Sequence, residues 1–179
     1  MNHTIVALVE DIPGVLNRVA SLFRRRSFNI ESLAVGHTET AGVSRMTIVV
    51  DSDDNSILRL ISYLYKLVNV IQVEDLTNKA CVTRDLALIK VKADVENRAQ
   101  VMQIVDVFRA RIVDIANNSF IIEITGDEAK IEGFIEVLRP VGIIEMVRTG
   151  SVVLARGGSP LNASENPVET DLLAAVAGN

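Results

Sequence analysis

The sequence predicts an α+β fold made of two βαββαβ units in tandem. Three observations carry the prediction. Runs rich in β-branched residues alternate with apolar stripes at helical spacing. The order strand, helix, strand, strand, helix, strand occurs twice. Each occurrence takes about 75 residues, the length of one small layered unit.

Residues 3–9 (HTIVALV) read as the first strand, ended by the punctuation EDIPG. From there Val15, Leu16, Val19, Ala20, Leu22 and Phe23 follow the 3.6 period of a helix. Arg24, Arg25 and Arg26 close it, where cations meet the negative end of the helix dipole. Strands are expected at 28–38 and 43–51, joined by TETAG. DSDDNS opens a second helix with Ile57, Leu60, Ile61, Leu64, Leu67 and Val68 on one face, and residues 70–76 form a fourth strand.

The second half repeats the order. LALIKV (86–91) is a strand, and Val101, Ile104, Val105 and Phe108 make a helical stripe. RIVDIAN and SFIIEIT are strands meeting at Asn118. Ile131, Phe134, Ile135 and Leu138 form another stripe before Pro140, and 143–155 is the last strand, with an interruption at Gly150. The predicted domains are 1–77 and 84–156, split near TNKACVTR, in the ferredoxin-like pattern of two helices on one face of an antiparallel sheet. The bare sheet face then needs a cover, and oligomerisation is the expected one. Residues 157–179 are rich in Gly, Ser, Pro and Asn and read as a flexible tail, with DLLAAVA a possible short docked helix.

Composition narrows the function. The 179 residues are 49% hydrophobic but only 4% aromatic, so the cores are aliphatic. A net charge of -5 argues against a nucleic-acid partner, which needs a basic face. The aliphatic central strands also lack the stacking residues of RNA-binding relatives of this topology. No apolar run approaches the ~20 residues that span a bilayer. The N-terminus shows neither the basic start nor the cleavage site of a secretory signal. The single Cys81 cannot form an internal disulfide, so a cytoplasmic location is expected.

No catalytic or metal constellation is visible. His3 and His37 lack companions at metal-ligand spacing, and Cys81 lacks a CxxC partner. DSDDNS departs from a calcium loop at Ser56 and Ser62. A small phosphatase-type enzyme of this topology would need an Arg in the loop after the first strand, and residues 10–16 contain none. What remains is the glycine loop. A strand leading through EDIPG into a helix aims unpaired N–H groups and the positive dipole end at whatever lies above Gly14. Those groups suit a carboxylate, with Pro13 expected in an early helical position. Asn29 offers an amide for the ligand's other end. The alternative readings are a tight-packing turn for Gly14 and a turn residue for Asn29.

The segment DIPGVLNRVASLFRRRSFNIESLAVG, followed by SRMTIVV, resembles the ACT domain of acetohydroxyacid (acetolactate) synthase small subunits. NIESL (29–33) and SRMTI (44–48) are the distinctive parts, and the resemblance extends to about Arg156. It implies a non-catalytic regulatory subunit that pairs through its ACT domains. Such subunits associate with a large catalytic subunit carrying thiamine diphosphate, FAD and magnesium. They raise its activity and confer feedback inhibition by valine or a related branched-chain amino acid. The implied effector residues are Asp11, Gly14, Val15, Leu16, Asn29 and Ile30, with Asn29 and Ile30 coming from the neighbouring protomer. Asp11 stands where the family often has Asn, a change expected to weaken binding of the effector carboxylate. VKADVENRAQ replaces the Pro-Gly loop in the second unit, so no second effector site is expected there. A stand-alone amino-acid sensor acting on another partner is the competing reading.

Overall fold

A computed structural model describes residues 1–157 of the chain. The first unit runs β1 (Asn2–Glu10), α1 (Val15–Arg25), β2 (Ile30–His37), β3 (Val43–Asp51), α2 (Asp54–Leu64) and β4 (Val70–Asp75). Its antiparallel sheet has the order β2-β3-β1-β4, which leaves β2 at an edge. Odd positions of β1 (Ile5, Ala7, Val9) meet Met46, Ile48 and Val50 of β3 in one core. Period-2 alternation puts those side chains on one face, and the helices lay Val15, Val19, Phe23, Ile57, Leu60 and Leu64 onto it.

The second unit repeats the plan with β5 (Cys81–Lys92), α3 (Arg98–Val107), β6 (Arg111–Ile115), β7 (Ser119–Gly126), α4 (Glu128–Leu138) and β8 (Ile143–Arg148). Its sheet order is β6-β7-β5-β8. Ile89, Ile122, Phe134 and Leu138 centre its core, where Phe108 tilts against Phe134 at 5.0 Å. The α+β, twice-βαββαβ reading of the sequence is the observed fold.

The last strand shows the expected interruption. The expected strand 143–155 is two strands, β8 and β9 (Val152–Ala155), broken where Gly150 takes φ 79. The described chain from Val153 groups with residues 1–82 rather than with 83–152. There Val153 is buried with Val6 and Leu76, and its carbonyl accepts a 2.8 Å bond from Arg45 Nη2. Val6 alternates with the core-facing residues of β1, so the chain itself supplies part of the cover that the sequence left to a second copy. Burial lowers the Arg45 pKa, opposed by the charges of Glu74 and Glu39. The tail and its DLLAAVA segment lie outside the described residues.

Helix starts separate two kinds of cap. Asp53 accepts bonds from the Ser56 amide (2.9 Å) and hydroxyl (2.6 Å), and Asp127 accepts from the Lys130 amide (2.9 Å). The Ser56 hydroxyl and then its amide hold the Asp53 carboxyl below the ordinary carboxylate range. A carboxyl depressed by folding stabilises above its unfolded pKa, near 3.9, and loses that contribution as pH falls through the folded value. Asp53→Ala is therefore expected to lower the melting temperature at neutral pH. Its gap from the wild type should close in acid, and a gap that persists in melts at low pH would refute this account.

Candidate functional site

The loop between β1 and α1 is a turn from Ile12 to Val15. Gly14 stands at φ 90, ψ -8, the third-position geometry of a type II turn, and Pro13 precedes it. Pro13 thus lies before the helix cap and not within the first helical turn as its sequence suggested. The Val15 amide points back at the Ile12 carbonyl at 3.5 Å, and the Gly14 carbonyl accepts from the Arg18 amide at 3.0 Å.

The start of α1 has neither a side-chain cap nor an acidic residue in its first turn; α3 shares both features, but there the Asp94 carboxylate accepts from the Glu96 and Asn97 amides just before the helix. Asp53 and Asp127 supply both functions at the corresponding places in α2 and α4 together with Asp54 and Glu128. The amides of Leu16 and Asn17 have no partner among the described residues. Donors at the positive end of a helix dipole, left open by the chain, favour an anion.

The surroundings of the loop come from distant parts of the first unit. The Asp11 amide donates to the Gly42 carbonyl at 2.8 Å, and its Oδ1 accepts from the Ser44 hydroxyl at 3.2 Å. Its Oδ2 lies 3.1 Å from His37 Nδ1. The Asp11 carboxylate therefore faces the ends of β2 and β3. Behind it, Asn69 (5% exposed) donates to Glu10 Oε2 at 2.5 Å and accepts from Arg18 Nη1, tying α1 to the start of β4. His37, Ser44, Arg18 and Asn69 carried no local signal in the sequence, because each matters only through a partner far along the chain.

The candidate residues are not gathered in one place. Gly14 and Leu16 are exposed at the loop. Val15 is 3% exposed with its side chain in the core. Ile12, absent from the sequence candidates, is exposed beside Leu16 in the same turn region. Asn29 is exposed and donates to the Glu31 carboxylate, while Ile30 is half-buried against the core. Register locates these last two. His37 pairs with Ser44 at the loop end of the sheet, and Ile30 pairs with Val50 at the other end. Seven residues at ~3.3 Å each put roughly 23 Å between those ends. One copy of the chain cannot close a single amino-acid pocket with both Gly14 and Asn29.

The histidines do acquire carboxylate neighbours in the fold. His3 is buried, with Nε2 3.4 Å from Asp54 Oδ1 and Nδ1 3.8 Å from Asp75 Oδ2. No group of three potential metal ligands occurs among the described residues. No helix among them is long and apolar enough to cross a membrane.

Comparison with known proteins adds the family context. A family model described as the AHAS small subunit-like ACT domain matches residues 5–72, and one described as the small subunit of acetolactate synthase matches 84–157. A probable acetolactate synthase small subunit of Archaeoglobus fulgidus is 53% identical over 157 residues, covering 88% of this chain and 98% of that protein. The acetolactate synthase small subunit of Mycobacterium leprae is 50% identical over 155 residues, covering 87% and 92%. The crystal structure of the acetolactate synthase small subunit from Thermotoga maritima superposes with a TM-score of 0.82 at 41% identity, over 89% of this chain and 99% of that one.

Proposed function

Because the chain belongs to the acetolactate synthase small-subunit family, we propose that it is a non-catalytic regulator of the cytoplasmic enzyme. In this reading it activates the catalytic subunit and makes it sensitive to valine or a related branched-chain amino acid. In the same reading, thiamine diphosphate, FAD and magnesium belong to the catalytic subunit.

The observation that carries the reading is the separation of the open Gly14 amides from Asn29 along edge strand β2. Two copies paired antiparallel through β2 would bring the Gly14 end of one to the Asn29 end of the other. A two-fold arrangement does this twice. The effector carboxylate would then take the open amides at the start of α1, and Asn29 of the second copy would hold its polar end. Leu16 of one copy and Ile30 of the other would contact the branched side chain. Val15 contributes its backbone, since its side chain is committed to the core. Binding at such an interface favours one arrangement of the pair, and the coupling available is typically ~1–3 kcal/mol.

Calorimetric titration of the protein with valine, with glycine as control, tests the site. Saturable binding of valine alone is expected. Asp11→Asn should bind valine several-fold more tightly, because it keeps an acceptor for Ser44 while removing a negative charge beside the effector carboxylate. Equal affinity in the variant would place Asp11 away from the ligand. Absence of valine binding, with or without the catalytic subunit, would overturn the site.

A further inference from the structure

The Arg24–Arg26 triplet reads in sequence as the solvated, dipole-facing end of α1. In the structure it is one side of a groove of about 600 Å³ between α1 and α2, lined by Leu22, Arg25, Arg26, Tyr63, Lys66 and Leu67. Arg26 stacks on the Tyr63 ring at 3.9 Å, and Lys66 Nζ lies 5.3 Å from the same ring. A smaller depression continues from it along Arg26 and Tyr63 to Phe28, Ser56 and Arg59.

Four cations, from the two helices and the residues that follow them, thus converge in a chain whose net charge is -5, and no carboxylate among the described residues lines either depression. Arg25, Arg26, Arg59 and Lys66 have no carboxylate partner among the described residues. Favourable placement at the α1 terminus accounts for Arg24 and Arg25. It does not account for Arg59 and Lys66, which come from α2 and the turn after it. Stacking on Tyr63 limits the motion of Arg26 while leaving its guanidinium edge free for a bidentate carboxylate. The floor is apolar: Leu22 is nearly buried, Leu67 is half-buried, and the adjacent Val68 is 91% exposed.

We propose that this groove docks an acidic segment of the catalytic subunit, with carboxylates on the Arg25–Arg26–Lys66 rim and an apolar side chain on the Leu22–Leu67 floor. The proposal rests on the regulatory-subunit reading above and adds the contact surface to it. An acidic peptide satisfies both rim and floor. An inorganic anion would use the rim alone, and a nucleic acid would meet the negative field of the rest of the chain.

The test measures binding of the full chain to its purified catalytic subunit as salt is raised. Wild-type affinity is expected to fall as salt screens the rim. Arg26→Glu/Lys66→Glu should lose at least about tenfold in affinity at low salt, with valine binding unchanged. Arg25→Gln/Lys66→Gln, which introduces no repulsion, should lose less and show a flatter salt dependence; thermal melts verify that both variants fold. Wild-type binding with unchanged affinity in both folded variants overturns the groove assignment alone. No wild-type binding at any salt overturns the regulatory reading and this proposal with it. Displacement of the catalytic subunit by inorganic phosphate beyond what chloride achieves at matched ionic strength would mark a small-anion site and also overturn it.

Discussion

Gly14→Asp is expected to abolish inhibition by valine while leaving activation of the catalytic subunit largely intact. Two effects add at this position. At φ 90 any L residue is strained, and the left-handed region costs roughly 1–2 kcal/mol for a residue with a Cβ. A Cβ at Gly14 would meet nothing within 4 Å, so sterics inside this copy add little. The new carboxylate would occupy the open amides at the start of α1 and repel the effector's own carboxylate. Gly14→Ala separates the two effects, since it carries the strain without the charge. It should keep partial valine sensitivity, with a modest loss of thermal stability. Activity of the reconstituted enzyme across a valine titration reads both variants. Loss of activation together with inhibition in Gly14→Asp would mean damage to the fold or to the subunit contact, and the effector assignment would fail.

The second large effect concerns the other unit. Asp85 is 2% exposed and accepts bonds from Arg148 Nε (2.8 Å) and Nη2 (2.6 Å) and from the Thr149 hydroxyl (3.1 Å). Arg148 also donates to Glu132, and its side chain keeps 27% exposure. The two partners are therefore unequal. Arg148→Met leaves a buried carboxylate whose remaining partner is a hydroxyl, and breaking a buried pair in this way costs about 3–5 kcal/mol. Asp85→Asn leaves a cation that still reaches Glu132 and water, so a clearly smaller loss is expected. Urea unfolding of the two variants should rank them in that order. Equal destabilisation would show that packing around the pair, and not the stranded charge, sets the cost. Valine binding should be insensitive to both, because the pair belongs to the unit without the glycine loop.

Much of the fold was legible in the sequence because its signals are local. The β-branched apolar run HTIVALV specifies a strand, and the 3.6 period from Val15 to Phe23 specifies a helix and its buried face, each within a dozen residues. The repeated order of elements then limits the topology, since antiparallel neighbours with short connections have few right-handed solutions. The interruption of the last strand at Gly150 was legible, but the destination of its second piece was not. Apolar residues flank Gly150 on both sides, and composition does not show that the second piece returns to the first unit to cover Val6.

The glycine loop shows the same division within one site. The sequence by itself determined that a β-run ends in Pro-Gly before an amphipathic helix, and that no acidic residue stands in the first turn of that helix. Only the tertiary structure decided that Gly14 takes a left-handed conformation, and that Asp11 faces His37 and Ser44. The tertiary structure also put Asn29 at the end of β2 away from the glycine loop, which gives a physical ground for the neighbouring-protomer placement that the family resemblance implied. The Asp85–Arg148 pair and the Arg26–Tyr63 stack join residues dozens of positions apart. A periodic pattern reports which face of an element is buried. Which side chain from another element meets that face depends on strand order and register, and these are set by the packing of the whole unit.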